Sequence, residues 1–334
     1  MKFSMPRGRG LYLFRDLGIG VFVLALTAVF GGLQGRFLSP TNVNQILLDI
    51  GIITIVAVGQ MLVIVTRNID LSVGSIVGLS AMAMAMLVRD HPGVSVPMAV
   101  LVAVLVGAAA GLCNGLVVSV GRVPAIIATL GTLAAFRGVI FLISGGRQVN
   151  DWDLPRGVVS LASGAHTAVP WLLVSAAATL VFGIFLTRYT LTGRRFYAVG
   201  SSPEAAVARG LPVKRLTVGV FVISGALAGL GGAMYVARFA SINPADAGLH
   251  MEFAVISAVV IGGTNIFGGS GSILGSLLGC LLIGILGNGL TVVGVSPFWQ
   301  SAAQGAIILA AVIFDARIRM NYEKRRRLSG RALA

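Results

Sequence analysis

The sequence RYTLTGRRFYAVGSSPEAAVARGLPVKR, residues 188–215, is a basic and polar interval between two long apolar runs. This polar interval holds six Lys and Arg residues against a single acid, Glu204. It also contains Ala205, Ala206 and Gly210. A polar segment of this length in the middle of an apolar chain predicts a platform outside the bilayer, on which a soluble partner can act on the membrane part.

The rest of the chain has the composition of a membrane protein. Of its 334 residues, 56% are hydrophobic and only 11% are charged, which is more apolar surface than one soluble core can bury. A helix needs roughly 20 apolar residues to cross a hydrocarbon core about 30 Å thick. Ten stretches are candidates, at residues 17–32, 44–65, 69–88, 97–118, 124–143, 169–187, 216–237, 251–262, 271–293 and 297–315. The first and eighth are short, so they are expected to tilt, to extend at their ends, or to be partly re-entrant.

The distribution of Lys and Arg predicts the orientation of these spans. With the N-terminus inside, the inner segments hold 19 basic residues and the outer connections hold five. Basic connections are retained on the cytoplasmic side, so both termini and the polar interval are predicted to be cytoplasmic. The basic tail at 316–334 is expected to bind lipid headgroups. This segregation explains the net charge of +14 without nucleic acid as a partner.

An internal repeat is visible at a constant offset of 197 residues. Residues 66–78 (TRNIDLSVGSIVG) match residues 263–275 (GTNIFGGSGSILG) at six of 13 positions without a gap. Both copies lie on a predicted inner connection and lead into a span, the third and the ninth. The repeat is therefore predicted to be parallel, as in transporters built from duplicated helical units.

Glycines recur at helical contact spacing in three of the predicted spans. They are Gly107, Gly111 and Gly115 in the fourth span, Gly225 and Gly229 in the seventh, and Gly271, Gly275 and Gly279 in the ninth. Such spacing allows the backbones of two helices to approach closely, where apolar side chains gain little by leaving lipid for protein. These positions are predicted to be helix-packing faces.

Motifs for catalysis or nucleotide binding are absent from the sequence. There is no G-x-x-x-x-G-K-S/T loop, no H-E-x-x-H pair and no catalytic triad. The chain is therefore not expected to be an enzyme or to need a cofactor or metal. Cys113 and Cys280 both lie in apolar runs and are interpreted as buried structural thiols.

The acidic residues give no sign of an ion-coupled carrier. Such carriers usually keep an ionisable residue inside the membrane, whereas the acids here fall in loops, in tails or near span ends. Those near span ends are Asp49, Asp70, Glu252 and Asp315. The energy for any transport is therefore expected to come from another subunit.

Neutral polar side chains remain inside the predicted spans. Each buried amide needs hydrogen-bond partners, so it either bonds to a neighbouring helix or lines a wet pathway, and the residues alone leave both open. Amides and hydroxyls suit a neutral hydroxylated solute, since both donate and accept hydrogen bonds. The candidate pathway residues are Gln60, Asn114, Asn288 and Gln304. Arg137 can likewise line a pathway or bond carbonyls of neighbouring helices.

A series of ordered motifs resembles one family. The segment IDLSVGS (69–75) is followed by ATLGT (128–132), GRRFYAVG (193–200) and VIGGT (260–264). Over nearly the whole chain these motifs resemble the ribose-type permeases, the membrane subunits of ABC importers for monosaccharides. One departure is Arg67-Asn68, which stands where the family usually has two glycines before Ile-Asp.

The resemblance implies a fold and a set of partners. The chain is expected to be an all-α polytopic protein of the bacterial inner membrane, with a single permease domain over residues 1–334. The polar interval then forms a cytoplasmic coupling loop, similar to the EAA motif of import permeases, which binds separate ATP-binding subunits. The residues expected to make that contact are Glu204, Ala205, Ala206 and Gly210.

The resemblance also implies a substrate and further partners. A periplasmic binding protein is expected to deliver a pentose, a deoxyhexose such as rhamnose, or a related furanose-derived signal. A second permease subunit, either an identical chain or a paralogue, is expected to complete the pathway. The alternatives are a carrier or channel for a small neutral polar solute that works without an ATPase, and a membrane scaffold or receptor that moves nothing.

Overall fold

The computed structural model describes residues 8–163 and 169–296, together with positions 299, 302, 305, 306 and 309. Within these residues every regular element is a helix, apart from an isolated antiparallel bridge between Val149 and Ile242. The α-helices are α1 (Gly8–Leu33), α2 (Pro40–Val65), α3 (Val73–Asp90), α4 (Val96–Ser119), α5 (Ala125–Ser144), α6 (Arg156–Ser163), α7 (Trp171–Tyr189), α8 (Leu191–Ser201), α9 (Pro203–Ala208), α10 (Val213–Phe239), α11 (Met251–Ile261) and α12 (Ile273–Val292). Two short 3₁₀ helices, Gly35–Leu38 and Asp151–Asp153, lie in connections.

Seven of these helices are long and apolar enough to cross a membrane, namely α2, α3, α4, α5, α7, α10 and α12. They confirm the all-α class and seven of the predicted spans. The first predicted span lies in α1, which has an apolar part at Leu17–Leu33. The tenth predicted span (297–315) and the basic tail (316–334) lie outside the described residues, so the count of ten spans, the orientation and the repeat stay predictions.

The helix in the eighth predicted span is too short to cross a membrane by itself. Helix α11 has only 11 residues and is about 16 Å long, roughly half of what a crossing requires. It ends at Ile261, and the chain continues without helix through residues 262–272 before α12 begins. A similar helix-free stretch, residues 66–72, separates α2 from α3. We call residues 66–72 the first linker and residues 262–272 the second linker.

Helix α2 forms the centre of the fold. All of its residues from Thr54 to Val65 are buried, and a helix that is apolar on every side is expected to be surrounded by other helices. Helices α7, α10, α11 and α12 pack around it. By contrast, no more than 28% of the most apolar stretch of α4, α5 or α7 is buried, as expected for helices that face lipid or another subunit. Cys280 is buried, but Cys113 is exposed on α4, so the interpretation of Cys113 as a buried thiol is wrong.

A close helix crossing joins α4 to α10 through the predicted glycine faces. A Cβ atom at Gly229 would lie 2.9 Å from Val104 Cα, and one at Gly115 would lie 2.9 Å from Val218 Cα. Gly111 and Gly225 face each other in the middle of this crossing. The prediction that these glycines form packing faces is confirmed, and the two faces pack against each other.

Candidate functional site

The polar interval folds into two short helices, α8 and α9. Thr190 caps α8, since its hydroxyl accepts a hydrogen bond from the backbone N–H of Gly193 at 3.0 Å. Ser202 caps α9 in the same way, accepting from the N–H of Ala205 at 3.2 Å. Pro203 occupies the first helical position, where its missing N–H removes no bond. Helix α9 therefore begins at Pro203, with Ser202 as its cap.

Helix α9 exposes a small surface that contains both polar and apolar residues. Glu204, Ala205 and Gly210 are exposed, and Gly210 adopts the left-handed φ of 74° that ends the segment. Ala206 is instead buried in the core, so it fixes α9 in place rather than offering a contact. Val207 is 62% exposed on the same helix and was not singled out in the sequence. Val207 is apolar but lies outside the core, because Ala206 is the one residue of α9 that is buried.

Helix α8 rests directly on both linkers. The N–H of Gly269 donates to Val65 O at 2.9 Å, which ties the second linker to the end of α2. Gly200 of α8 packs against these same two groups, so closely that a side chain there would overlap Val65 O. The hydroxyl of Tyr197 donates to Gly271 O at 3.1 Å. The platform is therefore in contact with the segments that lead into α3 and α12.

The first linker contains a buried polar cluster centred on Asp70. The Asp70 carboxylate accepts from the Ser72 N–H at 2.9 Å and from the Ser72 hydroxyl at 2.7 Å. Asn114 Nδ2 lies 3.4 Å from Asp70 Oδ2 and donates to Ser72 Oγ at 2.7 Å. Gln60 Nε2 donates to the backbone oxygen of Asp70 at 3.2 Å. Asp70 is fully buried. Its position near a predicted span end suggested the membrane surface, but its carboxyl lies in the interior because the first linker folds inward between helices.

Two amide oxygens of this cluster have no hydrogen-bond partner within the described residues. They are Gln60 Oε1 and Asn114 Oδ1, and both side chains are fully buried. Thr129 of α5 joins the cluster, since its hydroxyl accepts from the Leu71 N–H at 3.1 Å. Gln60 and Asn114 therefore connect α2 and α4 to the first linker, and their role as pathway residues stays a prediction.

The remaining predicted pathway residues lie elsewhere. Asn288 of α12 exchanges two hydrogen bonds with Asn42 of α2, accepting at 2.9 Å and donating at 3.1 Å. Asn42 also lines a polar cavity of about 430 Å³ at the start of α2. Gln304 lies outside the described residues. The structure thus brings Gln60 and Asn114 together, but it does not bring Asn288 to them.

Arg137 bonds a carbonyl of a neighbouring segment, the second of its two predicted alternatives. Its Nη1 donates to Ala247 O at 2.7 Å. Glu252, at the start of α11, is only 5% exposed, and its Oε2 has no hydrogen-bond partner among the described residues. A carboxyl in the first turn of a helix is ordinarily explained by its favourable interaction with the helix dipole. The position of Glu252 in the sequence therefore did not predict that its side chain is buried.

Comparison with known proteins decides the family. The family described as "Branched-chain amino acid transport system / permease component" matches residues 42–312, which is most of the chain. The chain belongs to this permease family. The resemblance indicated by the ordered motifs is thereby confirmed.

Two curated relatives of this permease match almost end to end. The ribose import permease protein of Bacillus subtilis (strain 168) is 35% identical over 90% of this chain and 91% of its own length. The autoinducer 2 import system permease protein of Enterobacter sp. (strain 638) is 34% identical over 94% of this chain and 90% of its own length. No solved structure is significantly similar to the permease.

The hydrogen-bonded pair formed by Asn42 of α2 and Asn288 of α12 can be tested with a double-mutant cycle. We expect Asn42→Ala, Asn288→Ala and the double variant of the permease to show an interaction free energy of about 0.5–1.5 kcal/mol, because each single change leaves the other amide without its partner. The free energies of unfolding in detergent measure it. Strictly additive losses would contradict the pairing.

Proposed function

We propose that the chain is the membrane subunit of an ATP-driven importer for a monosaccharide or a related furanose-derived signal. The observation that carries the proposal is the near full-length similarity to import permeases for ribose and for autoinducer 2. ATP hydrolysis belongs to separate ATP-binding subunits, and a periplasmic binding protein delivers the solute. The chain lies in the bacterial inner membrane with both termini and the polar interval in the cytoplasm, and pairs with a second permease subunit.

The substrate class is favoured by the relatives rather than by the family description. That description names branched-chain amino acids, whereas the two relatives that match end to end are named for ribose and for autoinducer 2. Uptake into proteoliposomes that contain the permease, its ATP-binding subunits and its binding protein tests the choice. We expect uptake of ribose, rhamnose or autoinducer 2 that requires ATP. ATP-dependent uptake of leucine alone would reject the sugar assignment, and uptake without ATP would favour the carrier or channel.

The polar interval supports the ATP-driven mechanism because it offers a folded surface for a soluble partner. Both of its helices are capped by side chains, so they hold their shape without a partner. Glu204, Ala205 and Val207 of α9 are exposed, as is Gly210, which follows this helix. Arg194 and Arg195 are exposed on α8. A preformed surface loses little conformational entropy when the partner binds.

A substitution at the exposed apolar residue of α9 tests this surface. We expect Val207→Glu to weaken binding of the ATP-binding subunit and to lower ATP-driven uptake at least about tenfold, because a charge would be desolvated at the contact. Co-purification of the ATP-binding subunit and uptake in proteoliposomes measure the two effects.

The matched control is Val120→Glu. Val120 is 63% exposed and follows the end of α4, where Ser119 bonds Lys214 O at the start of α10. It is therefore as exposed as Val207 and lies at the same end of the bundle, but outside the polar interval. Equal loss of co-purification in both variants would contradict the assignment of α9 as the docking helix.

A further inference from the structure

Arg67 joins three separate segments of the chain. It lies in the first linker, and its Nε donates to Phe267 O of the second linker at 2.9 Å. Its Nη2 donates to Ser201 O at the end of α8 at 3.4 Å. The side-chain stem lies against Gly268, where a Cβ atom would overlap it. One guanidinium group therefore bonds to the platform and to the second linker at once.

The segments around Arg67 are held in a defined arrangement. Gly268 and Gly269 are consecutive left-handed residues, with φ of 83° and 77°, so the second linker turns sharply at this point. The turn places the N–H of Gly269 on Val65 O and brings the backbone of Ser201 against Gly269. Phe267 O, which precedes the turn, is thereby held towards Arg67.

The backbone conformation of Arg67 indicates that an arginine occupies this position because its side chain is needed there. Arg67 has a φ of 64°, a left-handed conformation that is unfavourable for every residue with a Cβ atom and favourable for glycine. A strained residue persists where the surrounding structure holds it and its side chain serves a purpose.

We propose that Arg67 is a positioning residue that couples movement of α8 and α9 to both linkers. The proposal rests on the proposed function, in which the ATP-binding subunits displace these two helices. Because Arg67 bonds Ser201 O and Phe267 O together, displacement of the end of α8 moves both linkers in concert. The first linker carries Asp70 and leads into α3, while the second leads into α12. Without the guanidinium, Tyr197 still bonds the second linker and Gly269 still bonds Val65 O, but the first linker loses its side-chain bonds to α8 and to the second linker.

Arg67→Gly provides a test in which folding is not impaired. Glycine relieves the left-handed backbone and removes only the side chain, so the thermal unfolding midpoint should not fall. In proteoliposomes we expect ATP hydrolysis to continue while solute transported per ATP falls about three- to tenfold, as expected for the loss of one or two hydrogen bonds. Arg67→Lys keeps the charge without the planar fork and should restore part of the ratio.

The matched control is Arg122→Gly. Arg122 is also an exposed arginine with left-handed backbone, at φ of 55°, in the connection between α4 and α5. Its replacement relieves the same strain and should leave the transport ratio unchanged. An unchanged ratio in Arg67→Gly, or a lowered unfolding midpoint with no partial restoration by lysine, would overturn the proposal.

A measurement without partners separates this proposal from the proposed function. In the isolated permease, Arg67→Gly should raise amide hydrogen exchange of residues 263–270 about three- to tenfold, while Arg122→Gly should not. Equal amide hydrogen exchange in the wild type and in Arg67→Gly would reject the proposal that Arg67 holds the two linkers together. If the wild type shows no ATP-dependent uptake of any solute, the proposed function fails, and the exchange measurement still decides whether Arg67 holds the linkers together.

Discussion

Replacing Gly225 with valine should leave very little folded permease in the membrane. A Cβ atom at Gly225 would overlap Gly107 O and lie 2.8 Å from Gly111 Cα and 2.9 Å from Gly111 N. All three atoms are helix backbone, so no side chain can rotate away, and α4 and α10 have to separate along their crossing. Overpacking of a core typically costs about 1–3 kcal/mol, and separating two backbones costs more, against a total stability of about 5–15 kcal/mol.

The measurement is the amount of monodisperse permease after solubilisation, together with its thermal unfolding midpoint. The control is Gly219→Val on the same helix, because Gly219 has no atom within 4 Å of the position of its Cβ. This control carries the same loss of glycine and the same gain of apolar volume, and should behave as the wild type does. If Gly225→Val matches the control in yield and midpoint, the close crossing of α4 and α10 is wrong.

This crossing shows what the sequence can predict. Spacing of four residues between Gly107, Gly111 and Gly115 places them on one face of a helix, and the same holds for Gly225 and Gly229, so each face follows from local periodicity. That the two faces pack against each other could not be predicted, because the pairing of distant helices depends on the whole arrangement around α2. The seven long spans were predictable for the same local reason, since the length of an apolar run sets the length of the helix.

The two linkers show where local patterns fail. The eighth span was predicted at residues 251–262, and α11 matches it at Met251–Ile261. The sequence left open whether this short run tilts, extends at its ends or is partly re-entrant, and it did not show how residues 262–272, which contain no helix, fold against α8. In the first linker, Asp70 stands near the end of an apolar run, which usually places a carboxyl at the membrane surface. It is buried among donors from Ser72, Asn114 and Gln60, and these residues lie up to 44 positions from Asp70 along the chain.

The structure of the polar interval was predictable in part. Its charge and position distinguished it from the apolar helices on either side. Four residues were expected to form the contact, yet Ala206 is buried and Val207 is exposed. The direction in which each side chain of α9 points depends on how the helix packs on the linkers, and a motif of three residues does not contain that information.

Replacing Asp70 with alanine is expected to be nearly as damaging as the valine at Gly225. The change removes the acceptor for the Ser72 N–H, the Ser72 hydroxyl and Asn114 Nδ2, all of which are buried. A buried donor without a partner costs about 1–3 kcal/mol, so the loss reaches several kcal/mol, although the Ser72 hydroxyl can turn elsewhere. We expect a large fall in folded yield and in the unfolding midpoint. Asp246→Ala, which removes an exposed carboxylate near α11, is the control and should change neither.

Asp70→Asn should be tolerated far better than Asp70→Ala, because the contacts of Asp70 within the described part of the chain come from neutral donors. The amide oxygen of asparagine can accept from the Ser72 N–H in place of the carboxylate. The new NH₂ group faces Asn114, whose Oδ1 is buried without a partner and can accept once that amide has turned over. A carboxylate paired with a buried cation would respond in the opposite way, since removal of its charge leaves the cation uncompensated. An Asp70→Asn variant that is as unstable as the alanine variant would therefore show that the charge of Asp70, rather than its hydrogen bonding, holds the first linker between the helices.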